Sequence, residues 1–353
     1  MEQAAQDPTH PDGILAAYAP GLLDRIAEAG TIDGLAVAAA GHGGLVRVLA
    51  QVGVPVMAVA GAVALLNARL MERLFRLTVP PGVADHACLI VMGSEGRAEQ
   101  ILRTDQDNGL ILPDDGPWDA AALAEPLALF SFRLTELGWP PCPGGVMVSN
   151  PDWVRRAGAF AEAVRLWIRL PDDAAFMRLA IFADAAAAAG DAGLLDGARA
   201  AMLETVAGHG AFLSQFARVA LQFETPLGLF GQFDTDRHGR MDLKKGGIFP
   251  IVHGVRALAL EAGLAETNTV ARLAALSEAG RLEKGLAVDL RAAFEFLSAL
   301  RLKARINDDH AATDTLVEPA RLDADEREEL RHALRTVKQF KELLTYHFHL
   351  GMF

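Results

Sequence analysis

Only two cysteines, Cys88 and Cys142, occur in 353 residues. Two are too few for a disulfide framework or a cysteine-built metal set, and a reducing, cytoplasmic setting is the expectation. Lysine is missing until Lys244, so upstream positive charge is carried by arginine. The net charge is −12, which argues against nonspecific nucleic-acid binding, since that needs clustered Lys and Arg to displace counterions. No nucleic-acid partner is expected. The N-terminal MEQAAQDPTHPDG lacks the basic start and apolar centre of a signal peptide. Long apolar runs are missing too: VGVPVMAVAGAVALL (52–66) contains Pro55 and falls short of the roughly 20 residues that span a bilayer. It reads as a buried helix, and no membrane partner is expected.

What the chain does have is GSEGRAEQILRTDQDNGLIL, residues 93–112. The preceding HACLIVM (86–92) suits a buried strand. Gly93 then lets the backbone turn sharply and approach a ligand, and Ser94 can offer its hydroxyl and N–H to a phosphate at the start of a following helix, expected through Ala98–Leu102. Arg97 would add a bidentate phosphate donor. A second strand is expected over DNGLILP, with Asp105 and Asp107 two apart and facing the same way. Two hard oxygen ligands opposite a phosphate-holding turn suit a Mg²⁺-nucleotide, because Mg²⁺ binds through one or two carboxylates plus substrate phosphates. A second Mg²⁺ could activate an attacking hydroxyl.

These residues resemble a bacterial nucleotidyltransferase family commonly attached to CBS or cyclic-nucleotide-binding modules, catalogued as domain of unknown function 294, together with its C-terminal partner domain. CPGGVMVSNPDW (142–153) and IFADAAAAAGD (181–191) resemble its next blocks. TPLGLFGQF (225–233), MDLKKGGIFPIVHGVRALAL (241–260) and FLSALRLKARI (296–306) resemble its helical C-terminal region. More distantly the pattern is similar to the uridylyltransferase of a nitrogen-signalling protein and to the DNA polymerase beta superfamily. The resemblance implies NTP as substrate, Mg²⁺ as cofactor, a protein acceptor and a role in signalling. The chain departs from it twice. No CBS or cyclic-nucleotide module precedes the core, so sensory input is expected from a separate protein. The third block carries Ala185-Ala186 after Asp184 where the family has Asp-x-Arg.

The expected fold is α+β and predominantly helical. A small mixed-sheet nucleotidyltransferase core (81–195) would be flanked by an N-terminal helical domain (1–80) and a C-terminal helical bundle (196–353). In the core, helices are expected over Trp118–Leu137, Asp152–Arg169 and Pro171–Ala189, with GGVMVSN (144–150) as a third strand. That strand ends in Ser149 and Asn150, so a third metal carboxylate is not evident; Asp184 and Asp242 are possible replacements. The first lysines, Lys244 and Lys245, precede Gly246-Gly247 in a segment that could form a phosphate-holding helix N-terminus. The candidate set is therefore Asp105 and Asp107 for catalysis and metal, and Gly93, Ser94, Arg97 and Lys244 for nucleotide. Turnover as a uridylyl- or adenylyltransferase is weighed against a nucleotide-sensing module that binds without turnover.

Overall fold

Apolar residues at three- and four-residue spacing organise five helices: α1 (Pro11–Tyr18), α2 (Leu22–Glu28), α3 (Ile32–Ala39), α4 (His42–Gln51) and α5 (Val56–Thr78). The computed structural model describes residues 10–101, 103–307 and 316–351. The chain forms two compact units, Met1–Glu204 and Thr205–Phe353, and the helices before residue 81 share the first with the sheet.

α5 is the spine of the first unit. It buries Val59, Val63, Leu66, Leu70, Leu74 and Phe75, and α1 to α4 pack along it. The apolar run 52–66 supplies its first half. Among the described residues, one stretch is apolar and long enough by composition to cross a membrane, Ile32–Gln51, and it is divided at Ala40-Gly41 into α3 and α4, of 8 and 10 residues.

After α6 (Pro81–His86) come the sheet strands β1 (Cys88–Val91), β2 (Asn108–Leu112), β3 (Val154–Arg156) and β4 (Ala186–Gly190), in the order β3-β2-β1-β4. β1 pairs antiparallel with both β2 and β4, while β2 and β3 run parallel. Every residue of β1 and β2 is buried, which is why β1, and β2 after Asn108, read as continuous apolar runs rather than alternating ones. α7 (Gly93–Gly96) joins the central strands, α8 (Ala124–Glu136) packs on α5, and α9 (Ala157–Arg169) covers β2 and β3. Trp153, Phe160, Trp167 and Phe182 form an aromatic cluster with ring centroids 5.3–6.4 Å apart.

Three local expectations are corrected. Residues 144–150 are turns, not the third strand. Gly145 is left-handed (φ +67°), Asn150 donates its side-chain amide to the Gly145 carbonyl (2.8 Å), and the strand forms only at Val154–Arg156. The helix expected through Ala189 ends at Phe182, as α10 (Asp173–Phe182), and the alanines after it form β4. Alanine favours helix, but the free edge of β1 offers backbone groups that only a strand can pair. Gly190 makes the fit: a Cβ there would lie 1.8 Å from the Ala87 carbonyl oxygen. The helix after Gly93 is a single turn, stopped where Ala98 turns left-handed (φ +54°); Leu102, its expected end, lies outside the described residues.

α11 (Gly193–Val206) runs across the unit boundary. The second unit contains α12 (Gly210–Arg218), β5 (Met241–Asp242), a π-helical turn at Lys244–Ile248, α13 (Phe249–Glu261), α14 (Thr269–Glu278), α15 (Lys284–Asn307), β6 (Leu316–Val317) and α16 (Ala324–His347). α13 is buried on all sides from Pro250 to Leu260, as the central rod of a bundle must be, with α12, α14 and α16 around it. At Gly254 a Cβ would meet Leu344 Cδ1 at 2.4 Å and Phe340 Cε1 at 2.6 Å, so glycine sets how closely α16 approaches.

Candidate active site

The site is built where β1 leaves the sheet. The Met92 amide donates to the Asp107 carbonyl (2.8 Å), which continues the β1–β2 pairing and sets Gly93 beside Asp107. Gly93 is left-handed (φ +58°), and a Cβ there would lie 2.7 Å from Asp107 Oδ2. The backbone conformation therefore calls for glycine, and a side chain there would have to displace the Asp107 carboxylate. Gly96 is equally confined, since a Cβ would stand 2.1 Å from the Asp184 carbonyl oxygen. The Gly93–Gly96 turn, with Ser94 half-buried in it, is wedged between Asp107 and Asp184.

The Asp-Gln-Asp segment alternates between site and body. Gln106 is 1% exposed; its backbone amide donates to Pro140 O (2.9 Å). Its side-chain amide reaches the carbonyls of Ser131 and Trp139, both at 2.9 Å, and Thr135 Oγ1 at 3.1 Å. With Gln106 anchored inward, half-buried Asp105 and Asp107 are brought together, and one ligand atom of each lies within 4.8 Å of the other and of Cys142 Sγ.

Arg97 is placed differently. Its Nε donates to Glu99 Oε2 (2.6 Å) and its Nη1 to Asp184 Oδ2 (2.5 Å), with the three side chains 11%, 3% and 0% exposed. Burial works against the guanidinium charge, but Glu99 and Asp184 outweigh it and hold the group more firmly protonated than usual. Asp184 is thus bonded to Arg97 and clasps the turn. A second buried network lies beneath it. Asn67 of α5 donates to Glu95 Oε2 (3.1 Å) and Gln100 Oε1 (3.4 Å), and Gln100 donates to Thr104 Oγ1 (2.9 Å). Arg103 lies over the Trp139 ring, 4.1 Å from its centroid. Burial raises Glu95 to about 8, partly offset by the Asn67 hydrogen bond and the Arg103 charge. Burial also pushes His42 down to about 3, assisted by Arg103.

Cys142 was not among the sequence candidates. The signal available was its place at the head of the Cys-Pro-Gly-Gly turn. The Gly145 amide donates to its carbonyl (3.0 Å), its own amide approaches Met147 Sδ (3.4 Å), and Asn108 ties down the rest by accepting from the Val148 amide (2.8 Å) and donating to Val146 O (3.1 Å). Burial first, then the Asp107 carboxylate, pushes the Cys142 thiol pKa up.

A family model described as Putative nucleotidyltransferase DUF294 matches residues 42–174, which hold the turn, both aspartates and Cys142. A second, described as Putative nucleotidyltransferase substrate binding domain, matches residues 210–348. The chain belongs to this nucleotidyltransferase family. No curated protein matches it.

Asp184 and β4, which complete the clasp and the sheet, fall outside the first match. Lys244 belongs to the second unit, exposed at the start of the π-helical turn. That turn runs straight into α13, so Lys244 and Lys245 lie in the first turn of one continuous helix. Its glycines answer to packing: a Cβ on Gly246 would meet Pro226 Cδ at 2.4 Å, and one on Gly247 would meet Leu297 Cδ1 at 2.9 Å. Asp242 accepts from the Lys245 amide (3.0 Å) and so caps this turn.

Proposed function

We propose that the chain transfers a nucleoside monophosphate from Mg²⁺-NTP to an acceptor hydroxyl, with a protein as acceptor, in bacterial signal transduction in the cytoplasm. The observation that carries this reading is the convergence of Asp105 and Asp107 beside the left-handed Gly93 turn. Two half-buried carboxylates within 4.8 Å of each other fit a hard divalent cation that takes its remaining ligands from substrate phosphates and water. When bound, Mg²⁺ would neutralise phosphate charge and acidify the acceptor hydroxyl.

In this reading Asp105 and Asp107 hold the cation, and Gly93 with Ser94 receives the triphosphate through backbone N–H groups and the Ser94 hydroxyl. The acceptor oxygen bonds to the α-phosphorus as the α–β bridging bond breaks. Its electron pair leaves with pyrophosphate, and the acceptor's proton passes to solvent. The protein's contribution is positioning and charge neutralisation. Arg97, engaged by Glu99 and Asp184, is assigned to holding the turn in place. Lys244 is assigned to a phosphate on its charge and exposure, and acceptor recognition to the unit that matches the substrate-binding model.

A second reading, nucleotide binding without turnover, is favoured by one observation. Among the described residues the group gathered at Asp105 and Asp107 has Cys142 as its third member and no third carboxylate. Pyrophosphate release separates the two. An enzyme releases it with a suitable acceptor and stops in Asp107→Asn; a sensor binds NTP and releases none.

A further inference from the structure

We propose that Cys142 is the third ligand of the cation held by Asp105 and Asp107, so that this site binds a thiophilic divalent ion of the zinc or cobalt class without nucleotide. The inference rests on the reading of the two aspartates as the cation-holding pair and adds a sulfur to it. One ligand atom from each of the three residues lies within 4.8 Å of the others. Ligands on a tetrahedral zinc-class ion, at about 2.0–2.3 Å from the metal, stand roughly 3.3–3.8 Å apart. A contraction of that size is within reach of side-chain rotation alone.

The placement of Cys142 is built into the backbone. Ahead of it, Pro140 O receives the Gln106 amide (2.9 Å). Behind it, Val146 O receives the Asn108 amide (3.1 Å) and the Val148 amide donates to Asn108 Oδ1 (2.8 Å). The loop is thus fastened on both sides of Cys142 to the residues that flank Asp107. Gln106 and Asn108 are each 1% exposed, so these fastenings are shielded from water, and Cys142 itself is 9% exposed.

The donor set decides the class of ion. Mg²⁺ takes oxygen ligands and binds through one or two carboxylates plus substrate phosphates, whereas a thiolate selects softer metals. Two carboxylates and a sulfur therefore form a site for Zn²⁺ or Co²⁺ in the apo protein, while Mg²⁺ needs the nucleotide to complete its shell. Three protein ligands leave a fourth position for water or a phosphate oxygen, the arrangement of catalytic rather than structural zinc. On binding, the sulfur–metal bond forms as the thiol proton passes to solvent, with no change of oxidation state.

The test is a Co²⁺ titration of the full chain without nucleotide, reading sulfur-to-cobalt charge-transfer absorption in the near ultraviolet. The expected result is a band in the wild-type chain and in Cys88→Ser, no band in Cys142→Ser, and Co²⁺ affinity in Cys142→Ser lower by about tenfold or more. Cys142→Asp, with a third oxygen ligand, is expected to shift preference from Co²⁺ toward Mg²⁺. A wild-type chain with no band, or a band that survives Cys142→Ser, overturns the proposal. Loss of Co²⁺ binding in the Asp105→Asn/Asp107→Asn double variant but not in Cys142→Ser removes the sulfur ligand alone. A double variant that still binds Co²⁺ and still transfers nucleotide removes the aspartate site with it.

Discussion

Gly93 concentrates the most constraint into a single position. Alanine there meets two penalties, a left-handed backbone (φ +58°) and a Cβ 2.7 Å from Asp107 Oδ2. The first costs about 1–2 kcal/mol, and the second must push the turn or the carboxylate aside. Gly93→Ala is therefore expected to lower stability by at least that amount in a denaturant melt and to weaken NTP binding as well; a variant with wild-type values in both contradicts the wedge. Asp107→Asn keeps size and shape but removes a charged ligand, with an expected loss of nucleotide transfer of about a hundredfold or more at nearly unchanged stability. Arg97 behaves in the opposite sense. Arg97→Gln leaves Glu99 and Asp184, 3% and 0% exposed, without their guanidinium, and the expected cost is about 3–5 kcal/mol in a denaturant melt. Gly93, Ser94, Asp105 and Asp107 could be picked out from sequence because their relation is local, two strand ends joined by a short connection. The commitment of Arg97 to Asp184 and the approach of Cys142 depend on segments 87 and 35 or more positions away, respectively, and no spacing rule reaches that far.

Among the elements, β1 and β2 were legible as apolar runs bounded by Gly93 and Pro113, and α5 as a periodic apolar stripe. β4 was not, because local alanine propensity points to helix while the unpaired edge of β1 decides for strand. The strand expected at 144–150 failed for a related reason: Asn108 takes up the hydrogen bonds of that segment with its side chain as well as its backbone. Beneath these elements the Asn67–Glu95–Gln100 network makes stability depend on pH. Glu95 is raised from its ordinary 4.5 to about 8 by burial, so the folded state holds its proton more tightly, and that stabilisation is lost as pH rises toward 8. His42, lowered from 6.5 to about 3 by burial and Arg103, acts in reverse, with its cost fading as pH rises to 6.5. The two slopes oppose each other up to pH 6.5, and above it Glu95 acts alone. Stability is expected to fall by on the order of 2 kcal/mol between pH 6.5 and 8. Glu95→Gln should remove that fall in denaturant melts across this range; equal slopes in the two proteins contradict it.

At the scale of the molecule, the first unit carries the sheet and the aspartates, and the second carries the bundle around α13. The predominantly helical α+β character was readable from composition and periodicity. The joining of the N-terminal helices and the sheet into one unit was not, since it depends on α5 packing on β4 and α8. The close fit in the second unit gives its own prediction. Gly254→Val would overfill the contact with Phe340 and Leu344 and lower thermal stability by about 1–3 kcal/mol; an unchanged melting temperature contradicts that packing. The central claim, that Asp105 and Asp107 serve transfer of a nucleoside monophosphate to a protein, is tested most directly by offering the chain each NTP labelled at its α-phosphate, with Mg²⁺ and an extract of the source cells. The account predicts a labelled protein band with one nucleotide that disappears in the Asp105→Asn/Asp107→Asn double variant. A band of equal strength in that variant, or no transfer of label while NTP binds, contradicts it.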